Sequence, residues 1–134
     1  GIYYYYPGAD DSLNYDFAEV AVSVGYDFEV AQATASVNYS PNYFGDSGDA
    51  WYPSLNVVVP LPNDFTADAH VAYQAIDDNA AFGVEDYTDW SLGFSYAYEG
   101  FNFGLKYIGT DLDEPDECAD GCGDRVVFTV SRTF

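Results

Sequence analysis

Apolar and polar residues alternate along most of the chain. In "VAQATASVNYS", Ala31, Ala33, Ala35, Val37 and Tyr39 occupy one set of positions and Gln32, Thr34, Ser36 and Asn38 the other. "FTADAHVAYQ" sets Phe65, Ala67, Ala69, Val71 and Tyr73 against Asp68, His70 and Gln74. "DWSLGFSYAYEG" sets Trp90, Leu92, Phe94, Tyr96 and Tyr98 against Ser91, Gly93, Ser95 and Ala97. Period two marks a strand whose sides meet different surroundings. Runs of this kind predict strands over roughly 2–6, 14–26, 29–40, 50–59, 65–75, 89–99, 101–110 and 125–134. Most are about ten residues long, the length of a tilted strand crossing a bilayer. Tyr26, Tyr39, Trp51, Phe65, Tyr73, Trp90, Tyr98, Phe101 and Phe134 gather near the ends of runs, where an interfacial girdle would lie.

The connections come in two kinds. "DFE", "PLPND" and "EGF" are short; "PGADDSLNYD", "PNYFGDSGDA", "IDDNAAFGVEDYTD" and "DLDEPDECADGCGD" are long. In an up-and-down meander, alternate connections share an end, so every long one gathers at the same end. Short turns at one side and long loops at the other are the habit of outer-membrane barrels. The expected fold is all-β: one domain over residues 1–134, an antiparallel up-and-down meander of about eight strands, of outer-membrane β-barrel type.

Composition narrows this picture. The chain has 14 Tyr, only 3 Lys plus Arg, and a formal net charge of -20. Such acidity excludes nucleic acid and anionic membrane surfaces as partners. Disordered acidic chains are poor in aromatics, whereas aromatics make up 19% of this one. No segment approaches the roughly 20 apolar residues of a membrane helix. Most acids fall in the long connections, and only Glu19 and Asp68 sit mid-strand, both at polar positions. That spares the chain the charge-in-lipid penalty. The sequence opens inside a strand with no signal peptide, the look of a mature or truncated piece of a longer chain.

Little in the sequence suggests catalysis, and no catalytic residue is assigned. "GDSGD" at 45–49 has a serine-protease flavour, but Asp49 stands where Gly is needed and His70 follows the serine. His70, alternating with Asp68, is expected in a polar hydrogen-bond network. Lys106 alternates with Leu105 and Tyr107, so it should point to the polar side, near Glu19 or Asp68. The candidate lining of a polar lumen is Glu19, Gln32, Thr34, Ser36, Asn38, Asn56, Asp68, His70, Gln74 and Lys106. Asp111, Asp113, Glu114, Asp116, Glu117 and Asp120, with Asp77 and Asp78, are hard oxygen ligands that suit calcium. They miss the EF-hand pattern, because Pro115 takes a ligand position, which leaves a loose cation site or a solvated acidic loop. Cys118 and Cys122 form either a local disulfide in an oxidising compartment or two free thiols.

Taken together, "YYYYPGA", "YSPNYFG", "PLPNDFTADAHVAYQ", "YTDWSLGFS" and "KYIGTDLDEPDECADGCGDRVVFTVSRTF" resemble the TorF-type porins of proteobacteria, the Gcw_chp family. The resemblance covers nearly the whole chain. It implies an outer-membrane barrel whose members begin well upstream of Gly1, so that this chain corresponds to the C-terminal portion. It also implies that the last strand, with Phe128, Val130 and the terminal Phe134, is read by the outer-membrane assembly machinery. The function expected is passage of small solutes, with an acidic extracellular mouth favouring cations. The alternative is a self-assembling extracellular β-rich filament, because a barrel fragment with open aromatic edges recruits further copies.

Overall fold

The computed structural model describes residues 1–113 and 121–133. Eight strands follow one another: β1 (Ile2–Tyr4), β2 (Phe17–Asp27), β3 (Gln32–Ser40), β4 (Ala50–Leu61), β5 (Phe65–Ile76), β6 (Tyr87–Tyr98), β7 (Phe101–Thr110) and β8 (Arg125–Arg132). They form one sheet in chain order, each antiparallel to the next. The all-β meander read from the alternation is therefore the fold. Within the described residues the sheet is open, with β1 and β8 at its edges.

Local chemistry explains the boundaries. β6 turns into β7 through Glu99 and Gly100, with φ of 48° and 81°. Two consecutive positive φ values are the mark of a type I′ hairpin, whose twist matches the strands, and Gly is the cheapest residue to place there. Asn63 and Asp64, both at φ 62°, reverse the chain between β4 and β5. β2 starts at Phe17, later than the alternation suggests, because Asp16 is engaged elsewhere. Its carboxylate accepts from the Tyr6 amide at 2.8 Å, pinning the end of the first connection. Tyr5 and Tyr6, expected in the first strand, lie outside it just ahead of Pro7, which has no N–H to offer a ladder. The long β5–β6 connection holds a short helix, α1 (Asn79–Phe82), that alternation did not suggest. Asp78 caps it by accepting from the Ala81 amide at 2.9 Å.

The register sorts side chains into two faces. Across successive strands Thr34 faces Asn56, then His70, Ser91 and Ile108. One residue away, Ala35 faces Leu55, then Val71, Trp90 and Gly109. The second face is apolar over its whole width and open to its surroundings. Val22 is 65% exposed, Leu92 49%, Leu105 51% and Phe128 66%.

Among the described residues the buried core sits at the long-loop end. Buried apolar residues are Phe17, Ala50, Ala72 and Ile76, joined by Ser40, Ser47 and Gln74. Aromatic rings cover them. Tyr4 stacks on Phe17 at 4.4 Å, Phe17 meets the edge of Tyr43 at 4.8 Å, and Tyr43 reaches Phe82 of α1 at 5.6 Å. A second set joins Tyr6, Tyr15 and Phe44. Backbone bonds tie the same loops together: Gly45 donates to Asn14, Asp77 to Asp49 and Asp78 to Ser47. The total accessible surface is 8994 Å², against roughly 6,900 Å² for a compact monomer of this mass. The excess fits a single sheet whose apolar face is left open.

Candidate functional site: the polar face of the sheet

Glu19, Gln32, Thr34, Ser36, Asn38, Asn56, Asp68, His70, Gln74 and Lys106 all share the polar face. Their contacts run as a band from β2 to β7. Asn38 donates to Glu19 at 2.8 Å. The Ser36 and Ser54 hydroxyls meet at 2.7 Å. Gln32 reaches Asp27 at 3.4 Å, beside the short β2–β3 turn. Gln74 is buried near the loop end.

The densest part centres on His70. Its Nδ1 lies 2.8 Å from Asn56 Oδ1 and its Nε2 lies 3.0 Å from Asp89 Oδ1. The other Asp89 oxygen accepts from the Tyr52 hydroxyl at 2.8 Å. Asn56 and His70 are direct cross-strand partners, while Asp89 stands one pair further along, opposite small, buried Ala72. Tyr52 and Asp89 can therefore meet above Ala72. Both imidazole nitrogens are engaged, so His70 offers no free nitrogen to a metal or to a substrate proton. What the cluster can do is hold β4, β5 and β6 in one register and present fixed dipoles to the space above.

The second charged contact depends on a missing side chain. Lys106 Nζ lies 2.8 Å from Asp68 Oδ2, although β6 runs between their strands. In register, Lys106 faces Gly93 and Gly93 faces Asp68. Two ladder steps span about 9.6 Å, so the side chains must reach towards each other over the middle strand. Gly93 leaves the path clear: a Cβ there would come within 2.8 Å of the Asp68 Cγ. The pair is half-exposed, so it is worth about 0.5 kcal/mol. Its larger effect is to place a cation and an anion side by side midway along the polar face.

The β3–β4 loop folds across the long-loop end of this face. Tyr43 borders a small cavity together with Glu19, Asn38, Tyr52 and Gln74. Burial pushes the Tyr43 hydroxyl above its ordinary range, and nearby Tyr87 and Glu19 push it further. In the first connection, Asp10 is held below the usual carboxylate range by the Ser12 amide and hydroxyl, 2.9 and 2.7 Å away.

The other candidates are placed as follows. Ser47 of "GDSGD" is buried and donates to the Phe44 carbonyl at 3.0 Å, which closes its loop. Asp78 and Asp111 serve backbone amides, Asp78 as the helix cap and Asp111 as acceptor from Thr88 at 2.7 Å. Asp77 sits in the β5–β6 connection and Asp113 beyond β7. Among the described residues no three acidic, His or Cys side chains cluster as a metal site. Glu114, Asp116, Glu117, Cys118, Asp120 and Phe134 lie outside the described residues, so the expected Cys118–Cys122 pairing has one partner there. Phe128 and Val130 stand on the apolar face of β8.

Two members of the His70 cluster were not among the expected lining residues. Asp89 reads as a loop acid by charge, yet it is the third residue of β6 and in phase with Ser91. Stepping back by twos from Asn56 gives Ser54 and Tyr52, the signal that would have found Tyr52.

The model of a family described as bacterial protein of unknown function, Gcw_chp, matches residues 1–134. The chain belongs to the Gcw_chp family. No curated protein and no solved structure matches it. For this family member the polar face described above is therefore the basis for a functional reading.

Proposed function

We propose that this Gcw_chp protein is an outer-membrane β-barrel of porin type, non-enzymatic, whose polar face lines a passage for small solutes and favours cations. The observation that supports it is the exposed apolar face, set against a polar face tied together by side-chain bonds. In water an apolar surface of that extent would be covered, by a second layer or by another chain. In lipid it is the ordinary outer surface of a barrel. Closure is part of the reading, because each unpaired backbone group in hydrocarbon costs several kcal/mol. The long-loop end is then extracellular, and Phe128, Val130 and Phe134 end the strand presented to the assembly machinery. The acids of the long loops concentrate cations, calcium among them, over that mouth. Cys118 and Cys122 pair within the last loop, as an oxidising compartment allows.

Lys106 tests the reading. In planar-bilayer recordings the protein should pass small cations in preference to anions, and Lys106→Glu should raise that preference without abolishing folding. A folded variant with unchanged selectivity would remove Lys106 from the passage.

A second reading has one observation in its favour. Among the described residues, no strand pairs with the outer side of β2 over 20–27 or with that of β8 over 126–131. Open edges of that length template further strands, as in an extracellular β-rich filament. Detergent separates the two: a barrel needs detergent or lipid to stay dispersed, and a filament forms without either.

A further inference from the structure

We propose that a small cavity beneath Tyr43 is a binding site for a single water molecule, and that this water seats the β3–β4 loop on the polar face. The cavity is bounded by Glu19, Asn38, Ser40, Tyr43, Ala50, Tyr52 and Gln74. It offers about 10 Å³ to the centre of a water molecule, room for one and nothing larger. Ser40 lines it, is 2% exposed, and its Oγ has no hydrogen-bond partner among the described residues. A buried hydroxyl without a partner carries a desolvation penalty that native structures relieve, commonly with an ordered water. A water needs two to four polar partners, and besides Ser40 the lining residues include Gln74, Glu19 and Asn38, each with a polar side chain.

The location gives the water its role. Ser40 and Ala50 are opposed residues at the loop ends of β3 and β4. Gln74 approaches from β5 and Glu19 from β2. Tyr43, in ring contact with Phe17 and Phe82, supplies the loop's part of the wall. One water there joins four strands and the loop that crosses them. This holds whether or not the apolar face meets lipid.

The sign of one substitution tests it. Ser40→Ala deletes the hydroxyl while nearly keeping the shape. With a water bound, it removes a partner and should lower the urea midpoint of unfolding by about 0.3–1 M. With a dry cavity it relieves an unmet hydroxyl, and a raised midpoint would overturn the proposal. In the unmodified chain, the Gln74 side-chain amide should show a cross-relaxation signal to a long-lived water; an assigned amide without one would also overturn it. Replacing sodium by choline at equal ionic strength should leave the midpoint unchanged. A shift would put a metal cation in the cavity instead of water, and the proposal would fail.

Discussion

On β6, Leu92 and Phe94 are about half exposed and find no layer above them, while one residue away Ser91 and Gly93 lie among His70, Asp89, Asp68 and Lys106. The same backbone serves both faces, so strand propensity cannot account for the difference. What differs is how each face satisfies its surroundings. The polar face joins its groups to one another: Asn38 to Glu19, Ser36 to Ser54, His70 to Asn56 and Asp89, Lys106 to Asp68. Among the described residues the apolar positions of the strands carry no charge until Arg132 at one end, where the guanidinium lies 4.7 Å from the Phe101 ring; at the loop end carboxylates meet its tyrosines, Asp49 at Tyr39, Asp86 at Tyr73 and Asp124 at Tyr107. In the proposed barrel Arg132 holds the position from which a cation reaches headgroups.

A charge placed mid-strand should separate the faces most sharply. With lipid against the apolar side, Leu92→Arg is expected to destabilise the protein by about 2–4 kcal/mol. Ser95→Arg, on the polar side of the same strand, should stay within about 0.5 kcal/mol. Urea unfolding in vesicles measures both, and equal costs would erase the distinction between the faces.

A smaller effect probes how the polar face is organised. Gly93→Ala puts a methyl group where the Asp68 carboxylate lies, so Asp68 must swing away from Lys106. The expected loss is about 1 kcal/mol, slightly more than the roughly 0.5 kcal/mol for Lys106→Met, which breaks the same pair without a clash. If the two substitutions are made together, the losses should fail to add, because they remove one interaction.

The smallest effect lies at the loop end and depends on pH. The folded state raises the Tyr43 proton affinity. Its contribution to stability is therefore complete below the unfolded tyrosine value of about 10 and is lost as pH rises through the higher folded value. Alkaline titration should loosen the β3–β4 loop before the strands unfold, and Tyr43→Phe should delay that loosening. Tyrosinate absorbance followed beside far-ultraviolet circular dichroism would register the order.

Much of this was legible in the sequence because period two leaves a strong trace. The strands appeared within a few residues, and the ten expected lining residues fell on one face by alternation alone. The first strand proved shorter, since Tyr5 and Tyr6 leave the sheet near a proline and a capping Asp16. α1 left no apolar period because four residues are too few to show one; only Asp78 and Gly83 mark its ends. Asp89 was read by its charge as a loop residue, although its phase with Ser91 was the better guide. Tyr52 was overlooked because aromatic residues elsewhere mark the apolar face. The Lys106–Asp68 reach across β6 was half visible: alternation put both on one side, but only the register shows Gly93 between them.

If the apolar face lies against lipid as proposed, the chain carries its own reporters of it. It has 2 Trp, Trp51 and Trp90, and both point to that face near the long-loop end. The decisive measurement is tryptophan fluorescence of the unmodified protein in vesicles whose lipids carry bromine at chosen depths. Strong quenching is expected, greater for bromines near the headgroup than for those deep in the acyl chains, with little quenching by iodide in the water. Fluorescence indifferent to brominated lipid yet quenched by aqueous iodide would place both tryptophans in water and contradict the account.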